Sequence, residues 1–392
     1  MSSSSETPRI VIAAGGTAGH VVPALAVAGA LRAEGARVAF IGGDRAEAEL
    51  VPAAGFELRR IVVEGMSRTN PLRAARALWR AARAYARSLS LLRELRPDAV
   101  MGGGGYVAGP VGLAAVTLRI PLVLTEADSH LGLTNRVLAR VARRVCLAFP
   151  LAGRDGPRYR VTGRPVPPPQ ADRAGARERL GLAEGRVCVL VFGGSLGARS
   201  INMAAVEAFA DATAPSAMLP DRSSTPAASK HSAATGTPAT GTAFDVLHVA
   251  GRRDYPELSA LVDLRSALSE GYDLREYLEL EQFGDALAAA DLVVARAGGS
   301  VFEIAASGTP AILVPYPHAS ADHQTENARW MESAGAAIVI LDRELDAPRL
   351  AREVIELLAD RGRLAAMASA SQGLARPHAA GDIADELVKA AA

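Results

Sequence analysis

One histidine and three glycine clusters are the residues of this 392-residue chain best suited to chemistry. His20 closes the stretch Ala13-Ala14-Gly15-Gly16-Thr17-Ala18-Gly19-His20, between the apolar run Ile10-Val11-Ile12 and the helical pattern PALAVAGALRAEG. Glycine lets a backbone approach a ligand closely, and a helix that begins just after it presents unpaired N–H groups. Such an end carries about half a positive charge and favours an anion. The same design, a strand, paired glycines, then a helix, recurs at Gly193-Gly194-Ser195 and at Gly298-Gly299-Ser300. Tight packing alone explains any single one of these turns. Three after strands in one chain favour an anionic ligand. An imidazole of ordinary pKa, about 6.5, takes up a proton near neutrality. His20 is therefore a candidate base or substrate contact, with a structural histidine as the alternative.

The third cluster continues with Glu303, one turn into its helix, and with Asp322, His323, Gln324 and Asn327. A carboxylate at Glu303 suits the hydroxyls of a sugar, or else merely complements the helix dipole. The polar group that follows suits a polyhydroxylated ligand. The glycine turns lack G-x-G-x-x-G spacing, which argues against a nicotinamide enzyme, and lack the Gly-Lys-Ser/Thr of a nucleotide hydrolase loop. No Asp-x-Asp triplet occurs in the chain. A bound diphosphate is thus expected on helix ends and donor side chains, with no metal and no cofactor.

The elements that must position these residues alternate from start to end. Short strands such as RIVIAA, RVAFIGG, DAVMGGGG, PLVLTEA, VCVLVFGG, FDVLHVAG, DLVVARAGG and AILVPYP are separated by helical stretches. That alternation implies parallel sheets covered by helices. RIVIAAGGTAGH and VCVLVFGGSLGARS are near-copies about half a chain apart, which implies two doubly wound α/β domains. The proline-rich stretch 163–172 suits the hinge between them. Residues 213–243, rich in Ser, Thr, Ala and Pro, hold too little apolar surface to order themselves.

The chain is 49% hydrophobic and 4% aromatic, so its core is mainly Ala, Val and Leu. Its net charge of +1 divides into +8 for residues 1–150 and −7 for the rest, so the first half is suited to an anionic partner. Cys146 and Cys188 lie in apolar runs and suggest neither a disulfide framework nor a zinc site. MSSSSETPR lacks the apolar stretch of a secretion signal and no segment reads as a membrane span, so a cytoplasmic protein is expected. One helical stretch, 70–95, carries Arg73, Arg76, Arg80, Arg83 and Arg87 as a single stripe. Leu72, Ala75, Trp79, Ala82, Ala86 and Leu89 form a second stripe beside it, and no acidic residue lies between Glu64 and Glu94. A basic stripe beside an apolar one suits an anionic membrane surface. The alternative packs the apolar stripe on the sheet and leaves the arginines solvated.

GGTAGHVVPALAVA, GGGGYVAGPVGLAA, FGGSLGARSIN and the region from Glu303 to Asn327 together resemble the MurG family of peptidoglycan glycosyltransferases. The resemblance spans nearly the whole chain apart from its tail and residues 213–243. It implies the GT-B fold, two Rossmann-like doubly wound domains facing across a cleft. Residues 1–164 would form the acceptor and membrane-side domain, with a C-terminal helix at about 376–392 packing back on it. Residues 165–375 would bind the UDP-sugar. It also implies inverting transfer of N-acetylglucosamine from UDP-N-acetylglucosamine to lipid I, a polyprenyl-diphosphate-linked muramyl peptide. The enzyme would lie peripherally on the cytoplasmic side of the anionic plasma membrane, with no nucleic-acid partner. His20 would be the base, with Asp128 its rival. Gly15, Gly16, Thr17, Gly19, Gly103, Gly104 and Tyr106 would meet the acceptor. Ser195, Leu278, Gly298, Gly299, Ser300, Glu303, Gln324 and Arg164 would hold the donor. Arg73, Arg76, Trp79, Arg80, Arg83 and Arg87 would touch the membrane.

The chain departs from the family pattern at four places. Thr125-Glu126-Ala127-Asp128 replaces His-Glu-Gln-Asn, so a carboxylate stands where an amide contacts the donor sugar. GRPVP replaces Gly-Asn-Pro-Val-Arg, so Arg164 stands three places before the family's arginine. His323 takes the place of a glutamine, and the glycine loop before Glu303 is one residue short. Two other functions stay open on these grounds: a related UDP-sugar transferase with another lipid or small-molecule acceptor, and a nucleotide-sugar-binding regulator without turnover.

Overall fold

The computed structural model describes residues 7–63, 71–183, 185–194, 197–210, 244–266, 271–319 and 322–392. Ser195 and the expected insertion at 213–243 lie outside the described residues, as do the side chains of Arg73 and Arg76. The chain divides into two units, residues 1–167 with 376–392, and residues 168–375.

The first unit is built on seven strands: β1 (Arg9–Ala13), β2 (Arg37–Gly42), β3 (Glu57–Arg60), β4 (Ala99–Gly102), β5 (Leu122–Glu126), β6 (Arg144–Leu147) and β7 (Tyr159–Val161). Their order is β3-β2-β1-β4-β5-β6-β7, and every pairing is parallel. Apolar side chains fill both faces of this sheet. Ile10, Ile12, Phe40 and Met101 pack on one face, while Val11, Ala13, Ile41 and Val100 pack on the other. This is why the strands read as continuous apolar runs rather than as alternation. The chain order reverses between β1 and β4. At such a switch point the loops leaving adjacent strands diverge and open a crevice. The turn after β1 and the turn after β4 are brought together there. Helix α1 (Ala18–Ala33) leaves the first of these turns, and α4 (Ala108–Thr117) the second. Helix α14 (Ala379–Ala391) packs against α1 through Ile383, Leu387 and Ala390. Two arginines hold it as well: Arg160 pairs with Asp382 at 2.9 Å and with Glu386 at 2.7 Å, and Arg144 pairs with Glu386.

The second unit repeats the plan with β8 (Cys188–Phe192), β9 (Asp245–Val249), β10 (Tyr272–Arg275), β11 (Leu292–Ala295), β12 (Ala311–Leu313) and β13 (Ala337–Val339). Its parallel order is β10-β9-β8-β11-β12-β13, so its switch point lies between β8 and β11. The turn after β11 leads into the seven-residue helix α10 (Val301–Ser307), and α11 (His323–Ser333) packs beside it.

Candidate active site

In the first unit the two switch-point turns interlock through backbone. The Gly103 N–H donates to the Ala13 carbonyl at 2.8 Å. Gly105 has φ +73°, and a Cβ there would fall on the Gly15 carbonyl, so no other residue fits the crossing. His20 sits in the first turn of α1, half-buried, with its Nδ1 3.3 Å from the Thr17 hydroxyl. Its ring lies against Gly104, where a Cβ would come within 2.8 Å of its Cδ2. A cavity beside it is lined by Gly103, Thr125, Cys146, Arg164 and Ile383. Burial, with help from the Arg164 guanidinium, holds the imidazole below its ordinary pKa of 6.5, against the opposing pull of Asp128 and Glu47. The ring is therefore neutral at pH 7 and able to accept a proton. Asp128 is half-buried on the loop after β5, and its N–H donates to Glu126 at 3.3 Å.

Glu126 itself is buried and accepts from Gly132 N–H at 2.8 Å and from the Asn135 amide at 2.9 Å. It thereby shapes the loop that carries Asp128. Arg164, expected with the donor residues, stands in the first unit and donates to the Gly19 carbonyl at 2.7 Å.

One residue of this site escaped the sequence reading. Glu47, in the first turn of α2 (Ala46–Ala53), is fully buried and accepts from Gly16 N–H at 2.8 Å, Gly43 N–H at 2.8 Å and the Tyr106 hydroxyl at 2.9 Å. Burial pushes its pKa up, but these hydrogen bonds outweigh that and leave it below 4.5. Burial and the same carboxylate push the Tyr106 hydroxyl up to about 12, so it stays protonated. Gly16, expected to meet the acceptor, thus has its N–H donated to Glu47. The missed signal was RVAFIGG, another strand ending in paired glycines, with a glutamate four residues after Gly43.

In the second unit the turn after β11 carries Gly298, Gly299 and Ser300 at the start of α10, with Glu303 in its first turn. Asn327 ties α11 to this turn by donating to the Ala297 carbonyl at 3.0 Å. Gln324 lies next to Gly298 and accepts from Tyr316 N–H at 3.0 Å. Arg296 braces the turn from behind, donating to Asp342 at 2.6 Å and to the Ser200 hydroxyl at 2.8 Å. Leu278 is buried between β10 and α9 (Leu280–Ala289). Thus Gly298, Gly299, Ser300, Glu303 and Gln324 are brought together.

Helix α3 (Pro71–Leu95) packs into the first unit through Ala84, Ser88, Leu91 and Leu92. Trp79 is 58% exposed, with the Arg83 guanidinium 4.7 Å above its ring. Ala82, Ala86 and Arg87 are exposed too, while Leu89 of the same apolar stripe is half-buried against the core. The neighbouring helices α4 and α5 (Leu133–Leu138) expose Leu113, Leu133 and Val137. No helix among the described residues is long and apolar enough to cross a membrane.

Two parallel doubly wound units, each with a glycine turn at its switch point, are the architecture of the GT-B fold. Residues 10–147 match the Glycosyltransferase family 28 N-terminal domain, and residues 188–386 match the Glycosyltransferase family 28 C-terminal domain. A UDP-N-acetylglucosamine--N-acetylmuramyl-(pentapeptide) pyrophosphoryl-undecaprenol N-acetylglucosamine transferase from Moorella thermoacetica is 41% identical over 97% of this chain and 98% of its own length. The protein of the same name from Halorhodospira halophila is 40% identical over 96% of each chain. The crystal structure of Acinetobacter baumannii MurG superimposes with a TM-score of 0.73 at 28% identity, covering 97% of this chain and 99% of that one. The chain belongs to glycosyltransferase family 28 and, within it, to the MurG family.

Proposed function

We propose that the chain transfers N-acetylglucosamine, with inversion, from UDP-N-acetylglucosamine to lipid I, giving lipid II for peptidoglycan. The observation that carries this reading is near-full-length likeness to enzymes named for that transfer. The acceptor hydroxyl attacks the anomeric carbon while the bond to UDP breaks from the opposite face. His20 takes the hydroxyl proton, and UDP leaves with the bonding electrons. Negative charge grows on the diphosphate, so preorganised donors there lower the barrier most. Gly298, Gly299, Ser300 and Ser195 fill that role, Glu303 accepts from the ribose hydroxyls, Leu278 meets the uracil and Gln324 meets the sugar. On the acceptor side Thr17, Gly19, Gly103 and Gly104 face the substrate, while Gly15, Gly16 and Tyr106 form the braced floor. The division into an acceptor domain at 1–164 and a donor domain at 165–375 belongs to this reading.

The exposed Trp79, Arg83 and Arg87 of α3 support attachment to an anionic membrane surface, where the lipid acceptor resides. Asp128 favours keeping donor selectivity open, because a carboxylate accepts from hydroxyls but donates nothing to an acetamido carbonyl. The test is UDP release and product formation with lipid I and a panel of UDP-sugars. Transfer from UDP-N-acetylglucosamine well above the other donors is expected. Preference for another sugar would replace the donor assignment, and UDP-sugar binding without turnover would make the chain a regulator.

A further inference from the structure

Three strands of the first unit, β1, β2 and β4, each running into a glycine turn, deliver those turns to a single buried carboxylate. Glu47 Oε2 accepts from Gly16 N–H after β1, while Oε1 accepts from Gly43 N–H after β2 and from the Tyr106 hydroxyl after β4. The side chain has no exposure to solvent. The surroundings are built to its outline: a Cβ on Gly15 would lie 2.6 Å from Oε1, and a Cβ on Gly43 would fall on the Tyr106 hydroxyl. A buried carboxylate costs stability unless its lone pairs are filled, and here they are filled by two backbone N–H groups and a hydroxyl. The Arg45 guanidinium covers the outer face of Tyr106 at 5.0 Å.

We propose that Glu47 is the positioning residue of the first unit's site, fixing the turns that carry His20, Gly104 and Tyr106 and acting on the acceptor only through them. Tyr106 is then a fixed wall rather than a proton carrier. The carboxylate also favours the charged form of His20, as does Asp128 on the loop after β5, against burial and the Arg164 guanidinium on the loop after β7. This inference rests on the transfer reaction given above for the assignment of the acceptor to this unit.

The test uses the full chain with Glu47→Gln, Glu47→Ala and Tyr106→Phe, measured with UDP-N-acetylglucosamine and lipid I across pH. Glutamine keeps the volume but turns one acceptor oxygen into a donor, so at least one of the three bonds becomes a donor–donor clash. Glu47→Gln is expected to raise the acceptor KM about tenfold or more and to leave the donor KM within about twofold. Its acidic limb of kcat/KM should move to lower pH, because His20 loses an anion that favours its charged form. Tyr106→Phe should move the acceptor KM the same way but less. Exchange of the Gly16 and Gly43 amides with solvent, followed in the same variants without substrate, should accelerate in Glu47→Gln. Equal rises in both KM values with an unmoved limb would overturn the proposal, leaving Glu47 a general stabiliser. Unchanged amide exchange in Glu47→Gln would overturn it independently of activity. Absence of transfer by the unaltered chain would refute the reaction and leave the exchange experiment to decide Glu47.

Discussion

His20 lies within the electrostatic reach of a guanidinium and two carboxylates, and its chemistry follows from which influence wins. Burial and Arg164 outweigh Asp128 and Glu47, so the ring loses its proton below pH 6.5 and is a free base at neutrality. The acidic limb of kcat/KM should therefore fall below pH 6.5, as read from a pH–rate profile; a limb above that value would mean the carboxylates dominate. Replacing His20 by Ala should lower kcat by about 100-fold or more while UDP affinity, measured by calorimetry, stays close to that of the parent. Should Asp128→Asn abolish turnover and His20→Ala spare it, the base is Asp128. Glu303→Ala should raise the donor KM more than the acceptor KM, by about 10-fold or more for a lost charged hydrogen bond. An unchanged donor KM with an intact fold would reduce Glu303 to a helix-dipole charge. For Glu47 the sign is opposite to that of a raised histidine. Its folded pKa lies below 4.5, so its stabilisation is complete above that value and is lost as pH falls through the folded pKa.

At the scale of elements, α3 shows how a periodic pattern leaves its own phase undecided. The arginine step was legible because 3.6 residues per turn places such spacings on one stripe. Which apolar face packs was not legible, because the helix offers two. Ala84, Ser88, Leu91 and Leu92 meet the core, and Trp79, Ala82 and Ala86 are left to solvent. Leu89, from the same stripe as Trp79, is half-buried against the core. Changing Arg80, Arg83 and Arg87 to Glu should release the protein from vesicles of anionic phospholipid at moderate salt, as followed by sedimentation. Turnover on a short water-soluble acceptor should persist. Undiminished sedimentation would place the membrane contact elsewhere.

Across the whole molecule, two copies of one plan put a glycine turn at each switch point, and the proposed diphosphate site relies on helix ends and side chains, since the sequence holds no Asp-x-Asp. Turnover should accordingly survive EDTA; loss that magnesium restores would overturn that account. Helix α14 returns to the first unit and is held there by the Glu386 carboxylate between Arg144 and Arg160. Glu386→Ala should destabilise the first unit by about 2 kcal/mol, because the two arginines left behind are partly solvated, with the loss read from urea unfolding. The strand–glycine–helix alternation, the doubled design and the positions of His20, Gly298 and Glu303 were set by local sequence, since short-range sterics and periodicity suffice for them. Only the tertiary structure decided that Glu47, beside its local partner Gly43, gathers Gly16 and Tyr106, or that Arg164 lies on the turn of His20. Those distant partners are 31, 59 and 145 residues apart along the chain. A hydrogen bond between strand ends depends on sheet order, and sheet order is a property of the packed core rather than of any local stretch.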